Sequence, residues 1–202
     1  MPSERKLFVE GGGDNQALRI ECRQAFRRFL ERAGFGTRMP RIVACGARKN
    51  AYDQFCAAFS ELDAAILLVD SEGPVTAPSA WDHVKQRAGD RWDKPSRASD
   101  DNLHFMVQCM ETWFLADRPA MQSFFGNGYK EASLPAATRP IEEVPKDDLF
   151  VALKAATKDT KTKGYYAKGP HSFKLLAEVN PKLVRDASPS ADRFLTTLDR
   201  LM

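Results

Sequence analysis

Residues 64–73, AAILLVDSEG, constrain the fold more than any other part of the chain. Five apolar residues, Ala65 to Val69, run without polar alternation into Asp70 and Glu72. A short continuous apolar run bounded by turn formers fits a strand buried on both faces, the habit of a parallel sheet covered by helices. Side chains alternate along an extended backbone, so Asp70 and Glu72 are expected to leave the strand end on the same side, roughly 7 Å apart at the backbone. In open α/β sheets ligands bind at that carboxyl end. Two carboxylates emerging together repel, and a hard divalent cation such as Mg²⁺ satisfies them. A helix cap and a solvated loop glutamate account for the same pair without a ligand.

The rest of the chain supplies neighbours for this strand. Residues 5–10 read as a first strand with Leu7, Phe8 and Val9 buried, ending at Glu10 and entering Gly11-Gly12-Gly13. A helix follows from Asp14 to about Ala33, with Leu18, Cys22, Ala25, Phe26, Phe29 and Leu30 at helical spacing, and Gly34 and Gly36 stop it. Its other face carries Arg19, Arg23 and Arg27, the pattern of a solvated stripe. Residues 41–45 give a second strand and 50–62 a second helix. After the third strand come a short helix over 79–87, an exposed flap over 89–101 and a fourth strand over 103–108. A helix through Glu111 then breaks and restarts at Asp117-Arg118-Pro119, with Asp117 capping and Pro119 in the first turn. This alternation predicts an α/β fold, a mostly parallel four-stranded sheet flanked by helices. Residues 126–145, rich in Gly and Pro, read as a linker or surface loop. Helices are expected over 147–157, 172–179, 181–187 and 190–201. The expected organisation is an α/β domain over 1–125 and a helical C-terminal subdomain over 146–202.

Several classes fall away on composition. The net charge of +3 is too mild to announce nucleic acid by itself, so local clustering must carry that argument. Cys22, Cys45, Cys56 and Cys109 show no CxxC spacing, which favours free thiols over zinc or disulfides. No stretch approaches the ~20 apolar residues of a membrane-spanning helix, and the first apolar run is too short for a signal peptide. A soluble cytoplasmic protein is expected, with no membrane partner.

The chemistry gathers at one sheet edge. In a doubly wound sheet, strands one and three open on the same edge and commonly lie side by side. Glu10, Asp70 and Glu72 would then face one another, with Asp14 a turn further on. Gly11, Gly12 and Gly13 let backbone approach a ligand closely and present amides to a phosphate. Arg48 and Lys49, after strand two, sit at the same edge and would meet phosphate; capping and solvation serve equally well as accounts. Glu111, after strand four, would complete a second metal site or simply favour the helix dipole. The spacing is not GxGxxG, which argues against a dinucleotide. Farther on, residues 158–174 hold five lysines against one aspartate, interleaved with aromatics. Lys161, Lys163, Tyr165, Lys168 and His171 are the expected nucleic-acid contacts there, against a merely solvated loop.

The stretches LFVEGGGD and LLVDSEG resemble the TOPRIM domain of topoisomerases, primases and old-family nucleases, with its Glu-Gly after the first strand and Asp-x-Asp after the third. The whole chain also resembles an uncharacterised bacterial TOPRIM-like family, through VEGGGD, RIVACGARKNAYDQF, LLVDSEGPV, MVQCMETWFLADR and KGYYAKGPHSF. Its members are often encoded beside an ATPase in defence-type gene clusters. The TOPRIM resemblance covers residues 1–125 and implies a Rossmann-like fold. It implies that Asp70 and Glu72 hold Mg²⁺ (or Mn²⁺), that Glu10 acts as general acid and base, and that the activity is phosphodiester hydrolysis on DNA or RNA, with a partner ATPase. Glu72 departs from the pattern, which has aspartate there. The extra methylene moves the carboxylate by about 1 Å or more, which matters to the tight coordination of Mg²⁺. A non-catalytic module acting through the ATPase is the alternative. A phospho-acceptor at Asp70 would need a hydroxyl residue after strand four and a lysine after a fifth strand, neither of which the sequence offers.

Overall fold

The computed structural model describes residues 5–59 and 65–201. The expected end of the second helix at Leu62, and Ala64, lie outside them. Four strands, β1 (Lys6–Val9), β2 (Arg41–Ala44), β3 (Ala65–Asp70) and β4 (Leu103–Met106), form one sheet in the order β2-β1-β3-β4. All three pairings are parallel, with Val9 opposite both Ala44 and Leu68, and Asp70 opposite Met106. Every residue of β3 is buried. The protein is thus a Rossmann-like α/β fold, and the all-apolar run of β3 is explained by its central place between two covered faces.

Strand alternation sorts the core into two halves. Leu7, Val9, Ile66 and Leu68 pack with Cys22, Phe26 and Phe29 of α1 (Gln16–Leu30). Phe8, Leu67 and Val69 pack on the other face with Phe55 and Phe59 of α2 (Arg48–Phe59) and with Trp81 of α3 (Ala80–Gln86). Each such fully buried Leu or Phe contributes about 1.5–3 kcal/mol by burial. Asn15, not Asp14, caps α1, accepting from the Leu18 amide at 3.2 Å. The chain leaves α1 through a wider turn, Glu31–Phe35, where Gly34 takes a positive φ of 100°.

Past β4 the chain forms a 3-10 turn (Met110–Ala116), where an α-helix was expected, and then α4 (Arg118–Phe125). Asp117 caps α4 through the Ala120 amide, with Pro119 in its first turn, as the sequence indicated. Residues 126–145 carry short turns at Glu131–Ser133 and Ile141–Glu143. They bury Tyr129, Leu134, Ile141 and Val144 in the same core as α1. The last helices are α5 (Lys146–Thr157), α6 (Ser172–Glu178), α7 (Pro181–Ala187) and α8 (Pro189–Leu201). Their apolar faces, including Leu149, Leu175, Leu176 and Phe194, join that core on the α1 side of the sheet.

Candidate functional site

Because β1 and β3 are parallel neighbours, their carboxyl ends open together. Glu10 follows β1 directly, its amide donating to the Leu68 carbonyl at 3.1 Å. Asp70 is the last residue of β3. The Ser71 and Glu72 amides continue the pairing onto Met106 and Gln108 at 3.1 and 2.9 Å. Glu72 is held at φ 64°, a left-handed conformation that costs a residue with a side chain about 1–2 kcal/mol. Backbone bonds thus fix all three positions. Each carboxylate offers an oxygen lying within 4.8 Å of the other two. Three hard oxygen donors converging in this way fit a divalent cation of the Mg²⁺ or Mn²⁺ type.

The three acids do not share one environment. Asp70 is buried; its Oδ1 accepts from the Met110 amide at 2.8 Å, and Oδ2 lies 3.7 Å from Lys146 Nζ. Burial pushes its carboxyl well above the usual range, the negative Glu10 and Glu111 push the same way, and Lys146 and Lys168 oppose them. Glu10 Oε2 accepts from the Asp70 amide at 3.2 Å and from Arg48 Nη1 at 3.3 Å. Burial raises Glu10 too, and Arg48 only partly offsets it. At Glu72 burial also pushes upward, but the hydrogen bond and charge of Lys146 outweigh it and hold the carboxyl below its usual range. Environments that drive neighbouring acids apart are how one site comes to hold both a proton carrier and a fixed anion.

Two cations complete the cluster. Arg48, the first residue of α2, makes paired bonds to the two Asp90 oxygens at 2.8 Å each, donates to the Asp70 carbonyl oxygen, and lies 4.8 Å from the Trp92 ring centre. Trp92 in turn stacks on Tyr52 at 4.5 Å. The start of the flap over 89–101, expected to be exposed, is instead tacked down: Asp90 and Trp92 are drawn in by the guanidinium and by the Tyr52 ring. Lys146, the first residue of α5, donates to Glu72 Oε1 at 2.7 Å. The sequence reading missed this lysine. Its one local signal is a cation at a helix start, where the dipole disfavours positive charge unless acids are close by.

The glycine run borders a cleft of about 440 Å³ that reaches Glu10, Asp70, Glu111 and Lys168. Gly11 and Gly46 exchange hydrogen bonds at 2.9 and 3.0 Å, tying the loop to the end of β2. Gly12 has φ 87°, and a Cβ there would stand 2.7 Å from the backbone of Arg19. Gly13 lies open to solvent on the same measure. A larger groove of about 770 Å³ runs along Glu21, Arg28, Phe124 and Lys163, but it holds none of the converging acids.

The other expected residues scatter. Glu111 is buried beside the cleft but outside the acidic trio, its Oε1 accepting from Ser172 Oγ at 2.9 Å and from the Tyr166 hydroxyl at 3.4 Å. Asp14 stands in solvent, 3.5 Å from Arg19, because Asn15 takes the cap. Lys49 is exposed and bound to Asp53 one helical turn on, at 2.8 Å. In the basic loop, Lys168 lines the cleft and its ammonium lies 5.1 Å from the Phe150 ring centre. Lys163 instead borders the larger groove, 4.7 Å from the Phe124 ring centre, while Lys161 and Tyr165 are exposed. His171 accepts from the Ala167 amide at 3.1 Å and packs on Phe125, with burial and then Lys174 pushing its pKa down. All four cysteines are free thiols. Among the described residues, no helix is long and apolar enough to cross a membrane.

The model of a family described as "Domain of unknown function (DUF4276)" matches residues 9–199, a span that takes in the sheet, the acidic trio and the C-terminal helices. No curated protein and no solved structure matches the chain.

Proposed function

We propose that this chain, which belongs to the DUF4276 family, is a Mg²⁺- or Mn²⁺-dependent phosphodiester hydrolase of TOPRIM-like design, acting on nucleic acid. The observation that carries the reading is the convergence of Glu10, Asp70 and Glu72 from two adjacent parallel strands, with oxygens within 4.8 Å of one another. They do so at the sheet edge where ligands of α/β proteins bind. Asp70 and Glu72 would hold the ion. When bound, it supplies positive charge to the attacked phosphate and makes a coordinated water more acidic.

The chain's own groups account for the rest. Glu10, raised by burial yet hydrogen-bonded to Arg48, is placed to accept a proton from water and return it to the leaving oxygen. Gly13, with open space around it, lets a phosphate come close to backbone amides. Lys168 brings positive charge to the cleft. The exposed Lys161 and Tyr165 offer charge and a stacking face to a strand leaving the site.

The test is cleavage of single-stranded DNA, duplex DNA and RNA by the purified chain in Mg²⁺ and in Mn²⁺. Asp70→Asn should lower the rate at least about a hundredfold, the scale of losing one electrostatic stabiliser. One observation favours a second reading. Arg48 and Lys146 already neutralise two of the three acids, which weakens the pull on an ion and suits a non-catalytic module. Such a module would work through the partner ATPase that the TOPRIM-like resemblance implies, in phage defence. No cleavage of any substrate, together with stable co-purification of an ATPase encoded beside it, would decide for that reading.

A further inference from the structure

Lys146 is the one group in the cluster that no sequence motif anticipates, and its setting is specific. Its ammonium lies 2.7 Å from Glu72 Oε1 and 3.7 Å from Asp70 Oδ2, so it stands between the two acids assigned above to an ion. The side chain is only 20% exposed, and its backbone amide donates to Gln108 Oε1 at 3.2 Å, which anchors the start of α5 to the segment after β4. The lysine therefore arrives from a fixed point. The ammonium fills one cation position between these two acids, which leaves a single ion the side toward Glu10, where all three carboxylates offer oxygens within 4.8 Å of one another.

Charge points the same way. Glu10, Asp70 and Glu72 bring three negative charges, and Arg48 and Lys146 bring two positive ones. Asp90, bound to Arg48, adds a fourth negative charge, so one divalent ion brings these six groups and the ion to neutrality. Two ions would leave +2 in a partly buried site, with Arg48 still held in place by Asp90.

We propose that Lys146 takes the place of a second metal ion: the site binds one divalent cation per chain, and the lysine supplies the other positive charge. This inference rests on the metal reading above. It makes Lys146 a positioning residue for Glu72 and sets the site apart from two-ion phosphoryl-transfer centres, whose ions stand about 3.5–4 Å apart.

Mn²⁺ titration, followed by calorimetry and by electron paramagnetic resonance, reads ion number without any turnover. The wild-type protein should bind one Mn²⁺, with the resolved signal of an isolated ion. Lys146→Met keeps the apolar stem and removes the charge; it should bind two ions, with the signal broadened by their coupling. Lys146→Arg should stay at one. Circular dichroism checks that each variant is folded, and if Lys146→Met is not, Lys146→Gln takes its place under the same criterion. Two ions in the wild type, or a single ion in the folded charge-removal variant, overturn the inference and leave the metal reading standing. No ion in the wild type overturns the metal reading itself, and the inference falls with it.

Discussion

Arg48→Met is the most informative single perturbation of this protein. The Arg48 side chain is 11% exposed, and it satisfies an Asp90 side chain that is only 2% exposed. Methionine keeps most of the stem, so the loss is mainly charge and hydrogen bonds. Breaking a buried ion pair by removing one partner costs about 3–5 kcal/mol. Here Asp90 keeps a second bond, to Arg87 at 2.9 Å, so the cost falls below that range, and about 2–3 kcal/mol is expected at neutral pH. For a chain of this size that is a fall in Tm of roughly 4–12 °C. The pH dependence gives the sharper test. Burial already lifts Glu10 above its usual range, and Arg48 offsets part of that lift. Without the guanidinium the lift grows. An acid whose folded pKa is raised loses stability as pH climbs through the interval between its unfolded and folded values. Arg48 also holds Asp90 below its usual range, a contribution present above the unfolded pKa of Asp and lost as pH falls through the folded value. The Glu10 effect makes the gap between wild type and variant wider at pH 7 than at pH 5, while the Asp90 contribution, complete above the unfolded pKa of Asp, is the same at both. Urea unfolding at the two pH values measures it. A gap below about 1 kcal/mol at pH 7, against the 3–5 kcal/mol typical of a broken buried pair, or an equal gap at both pH values, would refute the electrostatic account.

Gly12→Ala and Gly13→Ala separate crowding from backbone conformation. Both positions have positive φ, but only Gly12 would press a Cβ against Arg19, so it should cost about 2–5 kcal/mol against about 1–2 kcal/mol for Gly13; equal melting temperatures would contradict this. Burial holds Asp70 and Glu10 toward their protonated forms, so Mn²⁺ binding should release protons and tighten as pH rises from acid toward neutral. Calorimetry in buffers of different ionisation enthalpy measures that release, and an absence of it at pH 6 would count against the burial of these acids. In nucleic-acid binding, Lys168→Ala should weaken affinity more than Lys161→Ala, because only Lys168 lines the cleft. Each lost phosphate contact should flatten the salt dependence by roughly one unit of slope; two indistinguishable variants would detach the loop from the site.

The sheet was legible in the sequence because β3 is an unbroken apolar run and because β1 and β2 end in glycine turns. The neighbourhood of Glu10, Asp70 and Glu72 followed from topology alone, since parallel neighbours must open on one edge. The C-terminal helices were legible within a few residues from their apolar spacing, with Pro181 at the start of one of them. What was not legible depends on partners distant in sequence. Lys146 meets Glu72 from 74 residues further along the chain, and Asp90 reaches Arg48 through a segment whose composition reads as a solvated flap. Asp14 and Lys49 were placed near the site because their backbone positions are near it. In each case a local bond decided otherwise: Asn15 supplies the cap, and Asp53 lies one turn from Lys49. At the start of the 3-10 segment Met110–Ala116, the Met110 amide, which no carbonyl within the turn can take, goes to Asp70 Oδ1.

The anchoring of Lys146 at the start of α5 bears on how the protein comes into being. During synthesis the strands bearing Glu10, Asp70 and Glu72 emerge first, and the lysine that settles Glu72 follows more than seventy residues after that acid. Ser172 and Tyr166, which hold Glu111 at the back of the cleft, come later still. Until then Arg48 alone offsets the acids at the sheet edge, Glu72 lacks its lysine, and the apolar side of α1 is bare. The site is therefore finished last, by the same helices that close the core.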